Sequence, residues 1–395
     1  MGEWKNVRVG ELGKIITGKT PKTSISDNYG GRIPFLTPSD NMSVKYVGKT
    51  SKTLTEKGLL EVKNAILPEN SVCVSCIGSD LGKAVITTCP TVTNQQINSI
   101  IVDEKSFDVS FVYYAMQILG KKMNFISKTS TAVPIVNKSS FSSYEIKCPP
   151  REDQKRIAAV LSALDSKIEC NKKINDNLEQ QAQSYFQELF VDNADPEWTT
   201  GTISDLGTVV GGSTPSKAKP EYYTESGIAW ITPKDLSNNK SKFVSHGEND
   251  ITELGLRNSS ASIMPEGTVL FSSRAPIGYI AIAAGEVTTN QGFKSVVPKP
   301  EIGTPFVYFF LKNTLPVIEG MASGSTFKEV SGSTMKNVPA VIPDAETLAK
   351  FSDFCAPIFA QQRILEEQNQ SLATLRDNLL PKLMSGEIDV SAVQL

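Results

Sequence analysis

Leu12-Gly13-Lys14-Ile15-Ile16-Thr17-Gly18-Lys19-Thr20-Pro21 returns 194 positions later as Leu206-Gly207-Thr208-Val209-Val210-Gly211-Gly212-Ser213-Thr214-Pro215, and this return decides how the chain is built. Working outward, Trp4 is answered by Trp198, and Thr37-Pro38-Ser39-Asp40 by Thr232-Pro233-Lys234-Asp235. Leu67-Pro68-Glu69 is answered by Met264-Pro265-Glu266, and Thr93-Asn94-Gln95 by Thr289-Asn290-Gln291. The order is kept and the offset drifts from 194 to 197. Solenoid repeats have periods of roughly 20–50 residues. A period of half the chain is therefore a duplicated domain with short loop insertions.

The first copy also spells a P-loop, Gly13-x4-Gly18-Lys19-Thr20, and Ile100-Ile101-Val102-Asp103-Glu104 imitates the acidic strand that accompanies one. A P-loop must leave a buried strand and enter a helix whose amides hold phosphate. Here Pro21 and a polar run follow at once, and the second copy keeps the glycines but replaces the lysine by Ser213. Nucleotide hydrolysis is the weaker reading.

At 395 residues the chain is long enough for two or three domains. Its hydrophobic fraction of 39% and the lack of any long apolar run predict a soluble protein with no membrane span. The start lacks a signal-peptide core, so a cytoplasmic location is expected. Six scattered cysteines suggest reduced, buried thiols. Cys73 and Cys76 have the spacing of half a zinc site, but the second copy has Leu270 and Ser273 there and His246 is the only histidine. No metal site is expected, since tetrahedral zinc needs four ligands.

Net charge is −2, unevenly spread: residues 1–150 carry 18 Lys and Arg against 12 Asp and Glu. Only this part has a surplus suited to phosphate.

Each copy opens with about 150 residues of short β-type runs bounded by turn residues. The runs are Ile33–Leu36, Ser71–Cys76, Ala84–Thr88 and Ile97–Val102, then Ile228–Ile231, Val269–Ser272, Tyr279–Ala283 and Lys294–Val297. They predict a twisted, mostly antiparallel sheet. Phe111–Leu119 and Phe306–Lys312 read as short helices on it. The fold class is α+β.

A helical part follows each copy. Ile157, Leu161, Leu164, Ile168, Asn171, Asn175, Leu178, Ala182, Tyr185 and Leu189 are spaced 4-3-4-3, a heptad seam. The second seam is Phe351, Cys355, Ile358, Gln362, Leu365, Asn369, Leu372, Arg376, Leu379 and Leu383, with Asp344 as N-cap. Pro357 is expected to kink or delay this helix and Pro381 to end it. Asn175 and Asn369, at equivalent positions, would fix register. The arrangement predicted is domains 1–150 and 193–343 separated by helices 151–192 and 344–395, paired as an antiparallel coiled coil with pseudo-twofold symmetry.

No catalytic constellation survives inspection. Pro149-Pro150 does not fit a methyltransferase motif, no carboxylate–lysine cluster suits a nuclease, and Asp40 and Asp235 lack an obvious partner. What remains is binding chemistry. Asn94, Gln95, Asn290 and Gln291 could pair with adenine, or could belong to a scaffold turn held by side-chain hydrogen bonds. Lys19, Lys22, Lys45, Lys49, Lys121 and Lys122 could reach phosphates, as could Lys217, Lys234 and Arg274 in the second copy. Thr20, Ser213 and Thr214 complete the candidate set.

The chain resembles the specificity subunit of type I restriction–modification systems over essentially its whole length. The resemblance rests on Trp4 with Gly18-Lys19-Thr20-Pro21, on Trp198 with Gly212-Ser213-Thr214-Pro215, and on Glu152-Asp153-Gln154-Lys155-Arg156-Ile157. The tail Leu375-Arg376-Asp377-Asn378-Leu379-Leu380-Pro381-Lys382-Leu383-Met384-Ser385-Gly386-Glu387-Ile388 is its most specific piece. It implies two target recognition domains, each reading half of a bipartite asymmetric site in double-stranded DNA. The helices would be spacers that dock two methyltransferase subunits. S-adenosylmethionine and adenine methylation would lie in those partners, not in this non-catalytic chain, and motor/endonuclease subunits would join for cleavage. The alternative from another class is a non-DNA coiled-coil scaffold with two binding lobes.

Overall fold

In the computed structural model, which describes residues 3–128, 135–324 and 328–394, the chain forms two compact units. The first comprises residues 1–169 and 370–395, the second residues 170–369. Four helices organise them: α1 (Val109–Lys128), α2 (Arg151–Gln187), α3 (Thr304–Met321) and α4 (Ala345–Ser385).

In the first unit a five-stranded sheet has the order Gly13–Thr17, Ile97–Val102, Ser71–Ser75, Ala84–Thr87, Tyr46–Val47, antiparallel except for the last pair. The second unit repeats this order with Gly207–Gly211, Lys294–Pro298, Val269–Ser273, Ile277–Ala283 and Phe243–Val244, again with only the last pair parallel. Each unit adds a four-stranded sheet and a two-stranded ribbon, where the sequence suggested a single sheet. Lys5–Arg8 pairs with Glu145–Cys148 and Thr199–Thr202 with Pro339–Ile342, so each ribbon ties the start of a globular part to its end.

The β-type runs read from sequence are all strands: Ile97–Val102 and Ile228–Ile231 match at both ends, five others shift by a residue or two at one end, and the run at Ile33 begins four residues earlier, at Tyr29. The two short helices are longer than expected, at 20 and 18 residues. Phe111 and Met116 on α1, and Phe306, Phe309 and Ile318 on α3, are buried against the sheets, so packing carries the helices past their strongest apolar stretch.

Helix α2 starts after Pro149-Pro150 with Glu152 and Asp153 in its first turn, where carboxylates suit the positive end of the helix dipole. Asp344 caps α4: its carboxylate accepts from the Thr347 amide at 2.9 Å and the Thr347 hydroxyl at 2.8 Å. Neither proline interrupts α4. Pro357 and Pro381 are both exposed, so each carbonyl that loses a hydrogen bond faces solvent, and the helix runs from Ala345 to Ser385.

No seam residue is exposed. In the first unit Ile157, Leu161 and Leu383 join the core under the sheet, Leu379 packs against it, Ile168 is buried, and Leu164 and Leu372 are half-buried. In the second unit Phe351, Cys355 and Ile358 sit in the core with Leu178, Tyr185 and Leu189 against it, and Leu365 is buried. The helix segments in this unit pair antiparallel: Asn171 donates to Asn369 at 3.0 Å, Asn175 to the Gln362 carbonyl at 3.4 Å, and Phe186 meets Phe351 at 5.8 Å. The equivalent asparagines Asn175 and Asn369 therefore do not face each other, because antiparallel pairing brings together positions whose numbers run in opposite directions. Phe186, ringed also by Phe190, Phe306 and Phe309, is 2% exposed. Truncating it to alanine would cost about 3–5 kcal/mol.

Four of the six cysteines are buried, whereas Cys170 is exposed on α2. Cys73 and Cys76 belong to different cores, and burial pushes the Cys73 thiol up to about 12. Among the described residues no helix is long and apolar enough to cross a membrane.

Candidate nucleic-acid interface

The repeated motifs meet in space, identically in both units. The Lys19 amide donates to Thr93 O at 2.8 Å and the Ser213 amide to Thr289 O at 2.9 Å. Thr20 Oγ1 donates to Gln95 Oε1 at 2.6 Å, and Thr214 to Gln291 in the same way. Tyr29 and Tyr223 donate their hydroxyls to the Pro21 and Pro215 carbonyls at 2.8 and 2.6 Å. A Cβ on Gly18 would lie 2.2 Å from Asn94 O, and one on Gly212 would lie 2.0 Å from Asn290 O, so only glycine permits the approach.

This geometry removes the P-loop. Gly13–Thr17 is a strand, and the amide at Lys19 that would face a phosphate is bonded to the Thr93 carbonyl. It also describes the Thr-Asn-Gln pieces. Asn94 Oδ1 accepts from the Gln96 amide at 3.1 Å and Asn290 Oδ1 from the Gly292 amide at 2.8 Å, local turns of the scaffold kind. Asp40 and Asp235 have partners after all. Each carboxylate takes the amide and hydroxyl of the threonine three residues earlier, Thr37 or Thr232, and Asp40 also takes the Ser51 amide and hydroxyl. Burial opposes ionisation of Asp40, but these donors hold its carboxyl below the usual range.

In the first unit Lys19, Thr20, Lys22 and Gln95 are exposed together around this contact, with Asn94 half-buried. Lys49 is exposed on the loop before Lys52–Leu54. Lys121 and Lys122 are exposed on α1, and Lys122 lines a different, more apolar groove with Tyr144, Ile146, Pro381 and Met384. Lys45 is the misfit. Its ammonium donates to Ser162 Oγ at 2.6 Å and Tyr114 OH at 3.2 Å, and burial pulls it down to about 8 despite Asp165 and Asp108 nearby. A lysine held this way fastens the globular part to α2 rather than meeting a phosphate.

The second unit gathers its candidates more tightly. A groove of about 750 Å³ is lined by Thr214, Lys217, Lys234, Arg274, Asn290 and Gln291, six of the seven positions singled out there; the seventh, Ser213, is half-buried beside it. Tyr223 and Trp230 also line it, their rings edge to face at 5.7 Å, and the Trp230 indole donates to Ser213 O at 3.0 Å. Lys234 pairs with Glu248 at 2.6 Å and Arg274 with Glu329 at 3.4 Å, while Lys217 is exposed. Glu248, Asn249 and Tyr223 lie on this groove too; they come from loops and short strands with no distinctive spacing, so sequence gave no signal for them. The groove is concave and sets three cations, Lys217, Lys234 and Arg274, beside the acids Asp235 and Glu248 and the amides of Asn290 and Gln291, a lining that can meet both phosphates and hydrogen-bonding base edges.

Comparison with known proteins agrees with the duplication. The family model described as the type I restriction modification DNA specificity domain matches twice, at residues 1–180 and 196–375. The type I restriction enzyme MjaIX specificity subunit of Methanocaldococcus jannaschii is 39% identical over 194 residues, 47% of this chain and 45% of that protein, so the match spans under half of either. The type I restriction enzyme HindI specificity subunit of Haemophilus influenzae is 23% identical across 98% of this chain and 100% of its own. A crystal structure of a type I restriction–modification S subunit from M. genitalium shares the fold, with a TM-score of 0.60 at 17% identity over 97% of this chain and 96% of that one. With the model matched twice over most of its length, the chain belongs to the type I restriction modification DNA specificity domain family.

Proposed function

We propose that this chain is the sequence-reading subunit of a type I restriction–modification complex, with each unit reading one half of a bipartite, asymmetric site in double-stranded DNA. The observation that carries this is the pairing of a repeated scaffold with unlike rims: the same Gly-x-Thr-Pro and Thr-Asn-Gln contacts recur in both units, while the groove-lining side chains differ. A shared frame with different surfaces is what two readers of two sequences require. Phosphate contacts would come from Lys19, Lys22 and Lys49 in the first unit and Lys217 and Lys234 in the second.

Helices α2 and α4, which contribute to both units, would set the number of bases between half-sites and dock two methyltransferase subunits. Catalysis is assigned to those partners, which would bind S-adenosylmethionine and methylate adenine, with endonuclease subunits joining for cleavage. A non-DNA scaffold is less well supported, since it gives no reason for cations to converge on one groove.

The test is methylome sequencing of cells expressing the chain with its methyltransferase partner. A bipartite motif is expected, and exchanging residues 1–150 for another family member's should alter one half only. A change in both halves, or no bipartite motif, overturns the reading.

A further inference from the structure

We propose that Arg274 is the side chain with which the second unit selects a guanine in its half-site; the inference rests on the DNA-reading function above. The starting point is a difference at a matched position. The Cys76 amide donates to Gln96 O at 2.8 Å and the Ser273 amide to Gly292 O at 2.7 Å, while Val136 and Val330 donate to the Cys76 and Ser273 carbonyls, both at 3.0 Å. The backbones superpose in function, and the next residue is Ile77 in the first unit and Arg274 in the second. Since one scaffold accepts either, the arginine is not needed to build it.

Arg274 stands where a ligand can reach it. Its side chain is 38% exposed, and it lines both the 750 Å³ groove and an adjoining one of about 620 Å³ bounded by Ile277, Glu319, Lys328 and Glu329. Glu329 is its one partner found among the described residues, with Oε2 3.4 Å from Nη1; the other Glu329 oxygen lies 4.0 Å from Lys294 Nζ. A carboxylate on one nitrogen orients the guanidinium while the rest of its five-donor fork stays available. That planar fork matches guanine O6 and N7, the commonest specific contact in the major groove. Lys217 and Lys234, by contrast, are point charges suited to phosphate.

The test uses the full chain assembled with its methyltransferase partner, first to find the wild-type motif by methylome sequencing, then to bind duplexes carrying it. Replacing one second-unit guanine by 7-deazaguanine, which lacks the N7 acceptor, should weaken wild-type binding roughly 5- to 150-fold. R274A should bind both duplexes equally, and its methylome should become degenerate at that position with the other half-site unchanged. Wild-type discrimination retained by R274A, or weakening uniform across all sequences, overturns the assignment and leaves a phosphate contact or a structural arginine. A wild-type complex that modifies no bipartite site fails earlier, and brings down the parent reading instead.

Discussion

Lys45 and Lys242 occupy corresponding places in the two units, and each turns its ammonium inward over a tyrosine of the helix packed on its sheet. Lys45 Nζ lies 4.7 Å from the Tyr114 ring and Lys242 Nζ lies 4.4 Å from the Tyr308 ring. The surrounding acids differ. In the first unit Tyr114 donates to Asp165 at 2.5 Å and Arg376 pairs with the same carboxylate at 2.9 Å. In the second, Glu179 takes Lys242 at 2.8 Å and Lys312 at 2.5 Å, while Gln362 accepts from Lys242 at 2.9 Å. Each lysine pins the short parallel edge strand beside it to the long helices, so a residue type read from sequence as a phosphate ligand is a fastening.

This fastening predicts acid sensitivity of the second unit. Burial opposes ionisation of Glu179, but Lys242 and Lys312 hold it down at about 2 from an ordinary 4.5. Burial also pulls Lys242 down to about 8, yet the carboxylate sets the sign in acid because it faces two ammonium groups. A depressed carboxyl stabilises the fold above its unfolded value and loses that contribution as pH falls from 4.5 towards 2. E179Q should thus be less stable than wild type at pH 7 by roughly 3 kcal/mol, the linkage equivalent of that shift. The gap should close as pH falls through that window in urea titrations. A gap independent of pH would refute the ion-pair account. Lys45, depressed to about 8, gives the same sign in a higher window: burial penalises its charged form below about 8, and that penalty is relieved as pH rises from about 8 to 10.5.

Gly212→Ala should destabilise the second unit by about 1–3 kcal/mol, the usual cost of overpacking, since here the Asn290 carbonyl must move. Gly320→Ala, with nothing near its Cβ, is the control and should be neutral or slightly stabilising. Thermal unfolding of both variants decides the matter. Equal melting temperatures would mean that the motif glycine is dispensable.

Pro357→Ala should stabilise the protein. The residue is exposed inside a continuous helix, where proline is about 3 kcal/mol worse than alanine. A gain of about 1–3 kcal/mol in denaturant midpoint analysis is expected. No gain would mean that the missing hydrogen bond at this turn is already compensated.

Deleting one matched heptad from each long helix should change the interval between half-sites and leave both half-site sequences as they were. Methylome sequencing reads this directly, and an unchanged interval would remove the helices from the role of spacer.

The duplication, the strand positions, the seam and the Asp344 cap were legible in the sequence because each depends on local pattern: residue types at fixed spacing determine which face is apolar and where a helix can begin. The sequence also made the P-loop the weaker reading, since the second copy keeps the glycines without the lysine; the structure removed it by showing that the glycines serve the close approach of the Asn94 and Asn290 carbonyls. Tertiary structure decided what spacing cannot encode. It turned Lys45 inward, gave Asp40 and Asp235 their threonine partners, let α4 run through Pro357 and Pro381 on its wet face, and gathered Lys217, Lys234 and Arg274 at one groove. The physical reason is the same in each case. A charged or polar side chain takes its role from the partners and the solvent around it, and those come from segments tens to hundreds of residues away.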